Sequence, residues 1–148
     1  MEKTIKEIHS IAKEIAFMSF KKSFSEIKEI GLHPGQKAII SAIKKNEGMS
    51  SKDLVKLSKR EPATITKTLQ RLELSGYVIK KVDSNDKRIS RLYLTDKGRE
   101  TYKKIKKFEE EQLEKFSKIL DQEDIDTLYN VLIKIKTKLE GDKNEKDI

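Results

Sequence analysis

A mainly α fold with one small two-stranded β insert (α+β overall) is what this sequence predicts, and three observations predict it. Apolar residues recur every three or four positions along much of the 148-residue chain, the spacing of helices with one buried face. From Tyr77 to Leu94 the period changes to two, around the polar run Asp83-Ser84-Asn85-Asp86-Lys87-Arg88. That is a β-hairpin with a long charged tip. The excess of positive charge is local: residues 50–99 hold 13 Lys and Arg against 6 Asp and Glu, and the rest of the chain holds 20 against 19. A lobe carrying +7 of the chain's total +8 is the electrostatic footprint of polyanion binding.

The chain opens on a long amphipathic helix, Ile5 to Ile30. Ile5, Ile8, Ile11, Ala12, Ile15, Met18, Phe24 and Ile27 keep helical spacing, and Phe17 and Phe20 widen the apolar face. Gly31 ends this helix. Leu32-His33-Pro34-Gly35-Gln36 starts the next, with Gln36 at the capping-box position and Ile39, Ile40 and Ile43 as a short core stripe. After the turn Asn46-Glu47-Gly48, Ser50 or Ser51 caps a third helix with Asp53 in its first turn. Leu54, Val55 and Leu57 form its expected buried side.

The fourth helix begins at Pro62, which suits a first turn because its missing N–H would have no partner there. Ile65, Leu69 and Leu72 make one apolar stripe, and Gly76 is placed to close the helix in a left-handed conformation, with Tyr77 packing back on Leu72. The opposite face carries Thr64, Lys67, Thr68 and Arg71, short hydrogen-bonding groups among long cations, as base edges and phosphates require. Beyond the hairpin, Thr95 caps a fifth helix and Asp96 suits its first turn. Gly98 costs helix propensity, so its place implies a close backbone approach to the hairpin. Tyr102, Ile105, Phe108, Leu113, Phe116 and Ile119 then keep a stripe over about six turns. Asp121 caps the last helix, along which Ile125, Leu128, Leu132, Ile135 and Leu139 recur. Residues 141–148 form a charged tail expected to be disordered.

A helix followed at once by a basic hairpin is a winged helix, a variant of the helix-turn-helix. The runs PATITK, RLELSGYV, NDKR and LYLTDKG, in this order and spacing, resemble the MarR family of winged-helix transcription regulators. The resemblance covers nearly the whole chain and fades after Glu140. It implies a winged-helix DNA-binding lobe over 33–99 and a helical dimerisation region over 1–32 and 100–140, within one fold of residues 1–148. The wide apolar faces of the terminal helices point the same way, since a lone chain has little core against which to bury them. Asp86 and Arg88 match the family's Asp-x-Arg pair, in which the Asp orients an Arg that enters the minor groove at the wing tip. Four positions depart from the pattern: His33 where Thr is usual, Ser58 and Arg60 where apolar residues are, and Glu61 where Ser or Asp caps.

The expected function is therefore a sequence-specific regulator of transcription that binds double-stranded DNA. The family's commoner mode is a dimeric repressor on a pseudo-palindromic operator, and many members are released by phenolic or other aromatic ligands. Thr64, Thr66, Lys67, Gln70 and Arg71 are the candidates for the major groove, with Pro62 and Ala63 setting how closely the helix approaches. Arg88, oriented by Asp86, belongs in a narrow minor groove, where negative potential concentrates. Lys80, Lys81, Lys87 and Arg91 add phosphate contacts. The alternative is a DNA-architectural protein of low sequence specificity, separable by competition with random DNA. An enzyme is not expected, and no catalytic residue, cofactor or metal set can be named. His9 and His33 stand far apart with no motif around either, and no phosphate loop or nucleophile–base set occurs. With no Cys, cysteine redox sensing is excluded. No apolar run approaches the roughly 20 residues of a membrane span, and a cytoplasmic location is expected.

Overall fold

The computed structural model describes residues 4–144. Their elements are α1 (Ile5–Glu29), α2 (Pro34–Lys45), α3 (Ser51–Ser58), α4 (Pro62–Leu74), β1 (Val78–Val82), β2 (Ser90–Leu94), α5 (Asp96–Ser117) and α6 (Gln122–Asn144). The chain divides into two compact units, Met1–Phe108 and Glu109–Ile148, with α5 running through the boundary. Among the described residues, no helix is long and apolar enough to cross a membrane.

In the first unit the helix ends follow local chemistry. Thr4 caps α1 in a reciprocal box, its backbone N–H donating to Glu7 Oε2 at 2.7 Å and its Oγ1 accepting from the Glu7 N–H at 3.2 Å. At the other end Gly31 (φ +75°) lets the Leu32 N–H reach the Ile27 carbonyl at 3.0 Å, a Schellman closure that sends Ile27 and Leu32 into the same core. Gln36 Oε1 accepts the His33 N–H at 2.9 Å, so α2 keeps one half of a capping box despite the weak N-cap. Ser50 and Asp53 form the box that starts α3.

Ile39, Ile40 and Ile43 of α2, Leu54 of α3, and Ile65, Leu69 and Leu72 of α4 meet Tyr77, Val78, Leu92 and Leu94 of the hairpin in one buried cluster, joined by Ile105. β1 and β2 pair antiparallel, Val78 with Leu94 through Val82 with Ser90. A bridge from Ser50 to Arg91, with the Gly48 N–H donating to the Leu92 carbonyl and the Leu92 N–H to the Met49 carbonyl, both at 2.9 Å, adds a short third edge to the wing.

Four expectations are corrected. Helix α1 ends at Glu29, with Ile30 as its C-cap. Leu57 is exposed and Val55 only half-buried, because α3 is eight residues long and Leu54 alone of its apolar residues is buried in the core. Ile119 lies outside α5, which stops at Ser117 and closes with the Ile119 N–H on the Phe116 carbonyl at 3.0 Å. Helix α6 continues through Gly141 to Asn144, into the stretch expected to be disordered, and residues 145–148 of that tail lie outside the described residues. In the second unit Asp121 caps α6, accepting the Asp124 N–H at 2.9 Å. The stripe Ile125, Leu128, Leu132, Ile135 and Leu139 is exposed.

Candidate nucleic-acid interface

Helix α4 is launched by a tight turn. Lys59, the C-cap of α3, is left-handed at φ +51°. Ser58 Oγ donates to the Val55 carbonyl at 3.0 Å and accepts the Arg60 N–H at 3.3 Å, so this hydroxyl satisfies backbone groups that an apolar side chain would leave open. The Arg60 guanidinium lies beside Gly35 of α2. The Ser58 departure from the family pattern thus has a local use, and α4 begins at Pro62 with Glu61 as an N-cap that makes no side-chain bond.

With Ile65, Leu69 and Leu72 buried, the rest of α4 is turned outward. Pro62, Ala63, Thr64, Thr66, Lys67, Gln70 and Arg71 are all exposed. Thr68 differs: it is half-buried and its hydroxyl donates to the Thr64 carbonyl at 2.8 Å. That leaves a continuous polar face of hydroxyls, one amide and two cations on a helix whose other side is fixed in the core.

The wing is locked to the end of this helix. Gly76 (φ +74°) closes α4 as Gly31 closes α1, with the Tyr77 N–H on the Leu72 carbonyl at 2.9 Å. Thr95, at the end of β2, donates its hydroxyl to the Gly76 carbonyl at 2.6 Å and its N–H to the Tyr77 carbonyl at 3.1 Å. Its Oγ1 also accepts the Gly98 N–H at 3.0 Å, which caps α5. Lys97 Nζ donates to the Ser75 carbonyl at 2.7 Å and lies 4.3 Å from the Tyr77 ring centroid, a cation at a helix C-terminus. Gly98 is buried, and a Cβ there would strike the Tyr77 carbonyl oxygen. The close approach expected of this glycine is present.

The hairpin tip is organised by two aspartates. Asp83 Oδ1 accepts the N–H groups of Asn85 and Asp86 at 2.8 and 2.9 Å, an Asx turn. Its Oδ2 accepts Arg91 Nε at 2.7 Å, and Arg91 Nη1 donates to the Gly48 carbonyl at 3.2 Å. Asp86 holds Arg88 by two parallel bonds, Nε to Oδ1 and Nη2 to Oδ2, both 3.0 Å. The Arg88 side chain remains 90% exposed. The bonds from Arg91 and from the turn amides pull the Asp83 carboxyl down to about 2. Those from Arg88 hold Asp86 below the usual aspartate range, and Arg88 is raised in turn.

The wing cations expected to contact phosphate divide into two sets. Lys81 and Lys87 are exposed, Lys81 lying 5.2 Å from the Tyr93 ring centroid. Lys80 is paired with Glu73 at 2.7 Å, tying β1 to α4, and Arg91 is paired with Asp83. Sequence reasoning did not single out Glu73, Asp83 or Gly48. The run Asp83-Ser84-Asn85 carries the signal for the Asx turn, whereas the partners of Arg91 and Lys80 come from tertiary pairing. Among the described residues, no group of three or more His, Asp or Glu is placed to hold a metal ion.

Comparison with known proteins agrees with this architecture. The model of the MarR family matches residues 32–90. The chain is 25% identical over 142 residues, 96% of its own length and 92% of the other's, to the uncharacterized HTH-type transcriptional regulator YybA of Bacillus subtilis. Among solved structures it is similar to a MarR protein from Peptoclostridium difficile, with a TM-score of 0.74, 27% identity, and 96% of this chain and 93% of that one covered. It shares its fold with Streptococcus pneumoniae FabT, solved in complex with DNA, with a TM-score of 0.76, 23% identity, and 90% and 98% of the two chains covered.

Proposed function

We propose that the chain is a MarR-family, DNA-binding helix-turn-helix regulator of transcription rather than an enzyme, a reading supported by the family model over residues 32–90 and by the similarity to YybA, and that it acts as a homodimeric repressor reading a pseudo-palindromic operator. The observation that carries the reading is the pairing of two exposed surfaces on one lobe: the outer face of α4 and the wing tip bearing Arg88. In this reading α4 enters the major groove, with Thr64, Thr66, Lys67, Gln70 and Arg71 toward bases and phosphates. Pro62 and Ala63 face the groove without bulk. Arg88, preset by Asp86, enters the adjacent minor groove, where its planar, weakly hydrated guanidinium loses less than an ammonium would. Lys81 and Lys87 meet phosphates.

The dimer is supported by α1, where Ile5, Ile8, Ile11, Ile15, Phe17 and Phe20 are each at least half exposed. That is far more apolar surface than a soluble monomer ordinarily presents. Repression, and release by a small aromatic ligand, are supported by the family resemblance alone.

Selection from a randomised duplex library, followed by competition with random DNA, tests the reading. The selected site should be an inverted repeat preferred roughly a thousandfold or more. Equal competition by random DNA would favour an architectural role instead. Folded Arg88→Ala should bind its half-site roughly tenfold or more weakly and lose preference for A·T pairs at the outer edges. A wild-type particle sedimenting at 17.2 kDa at micromolar concentration would rule out the dimer.

A further inference from the structure

Arg91 is one of the basic residues of the wing, yet its geometry is unlike that of a phosphate ligand. We propose that Arg91 and Asp83 form a brace between the α2–α3 turn and the wing, and that Arg91 serves DNA binding as a positioning residue for Arg88 rather than as a phosphate contact. This inference rests on the DNA-reading surface proposed above and deepens it.

The brace can be followed bond by bond. The Gly48 carbonyl accepts Arg91 Nη1 at 3.2 Å, and Arg91 Nε donates to Asp83 Oδ2 at 2.7 Å. The other oxygen of the same carboxylate accepts the Asp86 N–H at 2.9 Å, and the Asp86 carboxylate grips Arg88 in its two-bond fork. Four consecutive links thus run from a turn fixed in the scaffold to the one guanidinium at the wing tip. Gly48 is itself held, its N–H donating to the Leu92 carbonyl at 2.9 Å. The Asp83 side chain is 15% exposed and that of Arg91 35%, against 90% for Arg88. One wing arginine is built in and the other is presented. A two-stranded ribbon is flexible by itself, and an arginine inserted in a groove needs its approach fixed to well within an ångström or two. The bonds from Arg91 and from the turn amides that hold the Asp83 carboxyl down to about 2 keep it charged, and the link intact, at neutral pH.

Two electrostatic expectations separate a brace from a phosphate contact. Replacing Asp83 by Asn removes a negative charge from a DNA-binding lobe, which through simple charge alone should tighten binding. A brace predicts the opposite sign. Removing Arg91 from a phosphate contact should be additive with removal of Arg88, whereas a positioning role should vanish once Arg88 is gone.

The test uses the full-length protein and a duplex of about 30 base pairs, three helical turns, selected by the wild type. Affinities are measured for Asp83→Asn, Arg91→Ala, Arg91→Lys, Arg88→Ala and the double variant Arg88→Ala/Arg91→Ala, with folding checked by circular dichroism. Asp83→Asn and Arg91→Ala should each weaken binding roughly five- to thirtyfold, with Arg91→Lys recovering part through its single bond to Asp83. In the Arg88→Ala background, Arg91→Ala should cost less than about threefold. Tighter binding by Asp83→Asn, or an undiminished effect of Arg91→Ala without Arg88, overturns the brace while leaving the DNA-reading surface standing. Failure of the wild type to select any duplex overturns that surface first, and the brace's role with it.

Discussion

Gly98→Ala is the substitution on which local and tertiary preferences disagree most sharply, and the structure gives the winner. Gly98 lies in the first turn of α5, where alanine should gain about 1 kcal/mol in helix propensity. The added methyl would have to share space with the Tyr77 carbonyl oxygen and would lie 3.2 Å from Leu94 Cβ. That carbonyl is the acceptor for the Thr95 N–H at 3.1 Å, so the backbone cannot move away without straining a bond that joins the wing to α4. Overpacking of this kind costs about 1–3 kcal/mol, and a buried backbone group losing its partner costs about 1–3 kcal/mol more. Less the propensity gain, the net expectation is a loss of about 1–5 kcal/mol. Urea denaturation followed by far-UV circular dichroism, at one fixed protein concentration because association shifts apparent stability, would measure it. Gly141→Ala is the control. Its site in α6 has nothing within 4 Å of the added carbon, so the same change there should be neutral or stabilising by up to about 1 kcal/mol. A Gly98→Ala protein as stable as the wild type would refute the close approach and, with it, the geometry of the wing hinge.

Two further outcomes follow from backbone strain and from linkage. Lys59 is left-handed at φ +51° between α3 and α4, so Lys59→Gly should stabilise the fold by about 0.5–1 kcal/mol, the strain relieved less the added chain entropy, and an unchanged urea midpoint would count against strain at this turn. Asp83 has its pKa lowered from 3.8 to about 2; a depressed carboxyl adds stability that is present above the unfolded value and lost as pH falls through the folded one. The stability advantage of the wild type over Asp83→Asn should therefore shrink between about pH 4 and pH 2, and a difference constant across that window would contradict the ion pair.

Much of this lobe was legible because its determinants are local. Gly31 and Gly76 each close a helix through bonds to residues three and five positions back. Ser50–Asp53 and Asp121–Asp124 cap through residues three apart, and the stripe Ile65, Leu69, Leu72 fixes which face of α4 points outward. The same logic misplaced Leu57, since periodicity gives the side of a helix and not how far along it the core extends. It also could not sort the wing cations. Lys80 and Lys81 are adjacent and chemically identical, yet one meets Glu73 seven residues back and the other lies near the Tyr93 ring. Arg91 reaches a carbonyl 43 positions away. Such partners are set by tertiary pairing, to which a single sequence is blind.

The sorting changes what salt should do to binding. About four to six phosphate contacts on each half-site give, for a dimer, a slope of log K against log[salt] of roughly −7 to −11. A cation that stays paired with a carboxylate neutralises no phosphate, displaces no condensed counterion from the DNA, and contributes nothing to that slope. Lys80 sits 2.7 Å from Glu73 and Arg91 2.7 Å from Asp83, while Lys97 is spent on the Ser75 carbonyl and Arg99 on Glu47. The exposed cations among the residues proposed to face DNA are then Lys67, Arg71, Lys81, Lys87 and Arg88, and Arg88 enters with Asp86 beside it. The slope should accordingly lie near the shallow end, about −7, and Lys80→Ala should leave it unchanged while Lys87→Ala reduces it by about two for the dimer. Affinities measured between about 50 and 200 mM salt decide this. A slope near −11, or an equal reduction by Lys80→Ala, would mean that the Glu73 and Asp83 pairs open on DNA and that their cations turn to phosphate.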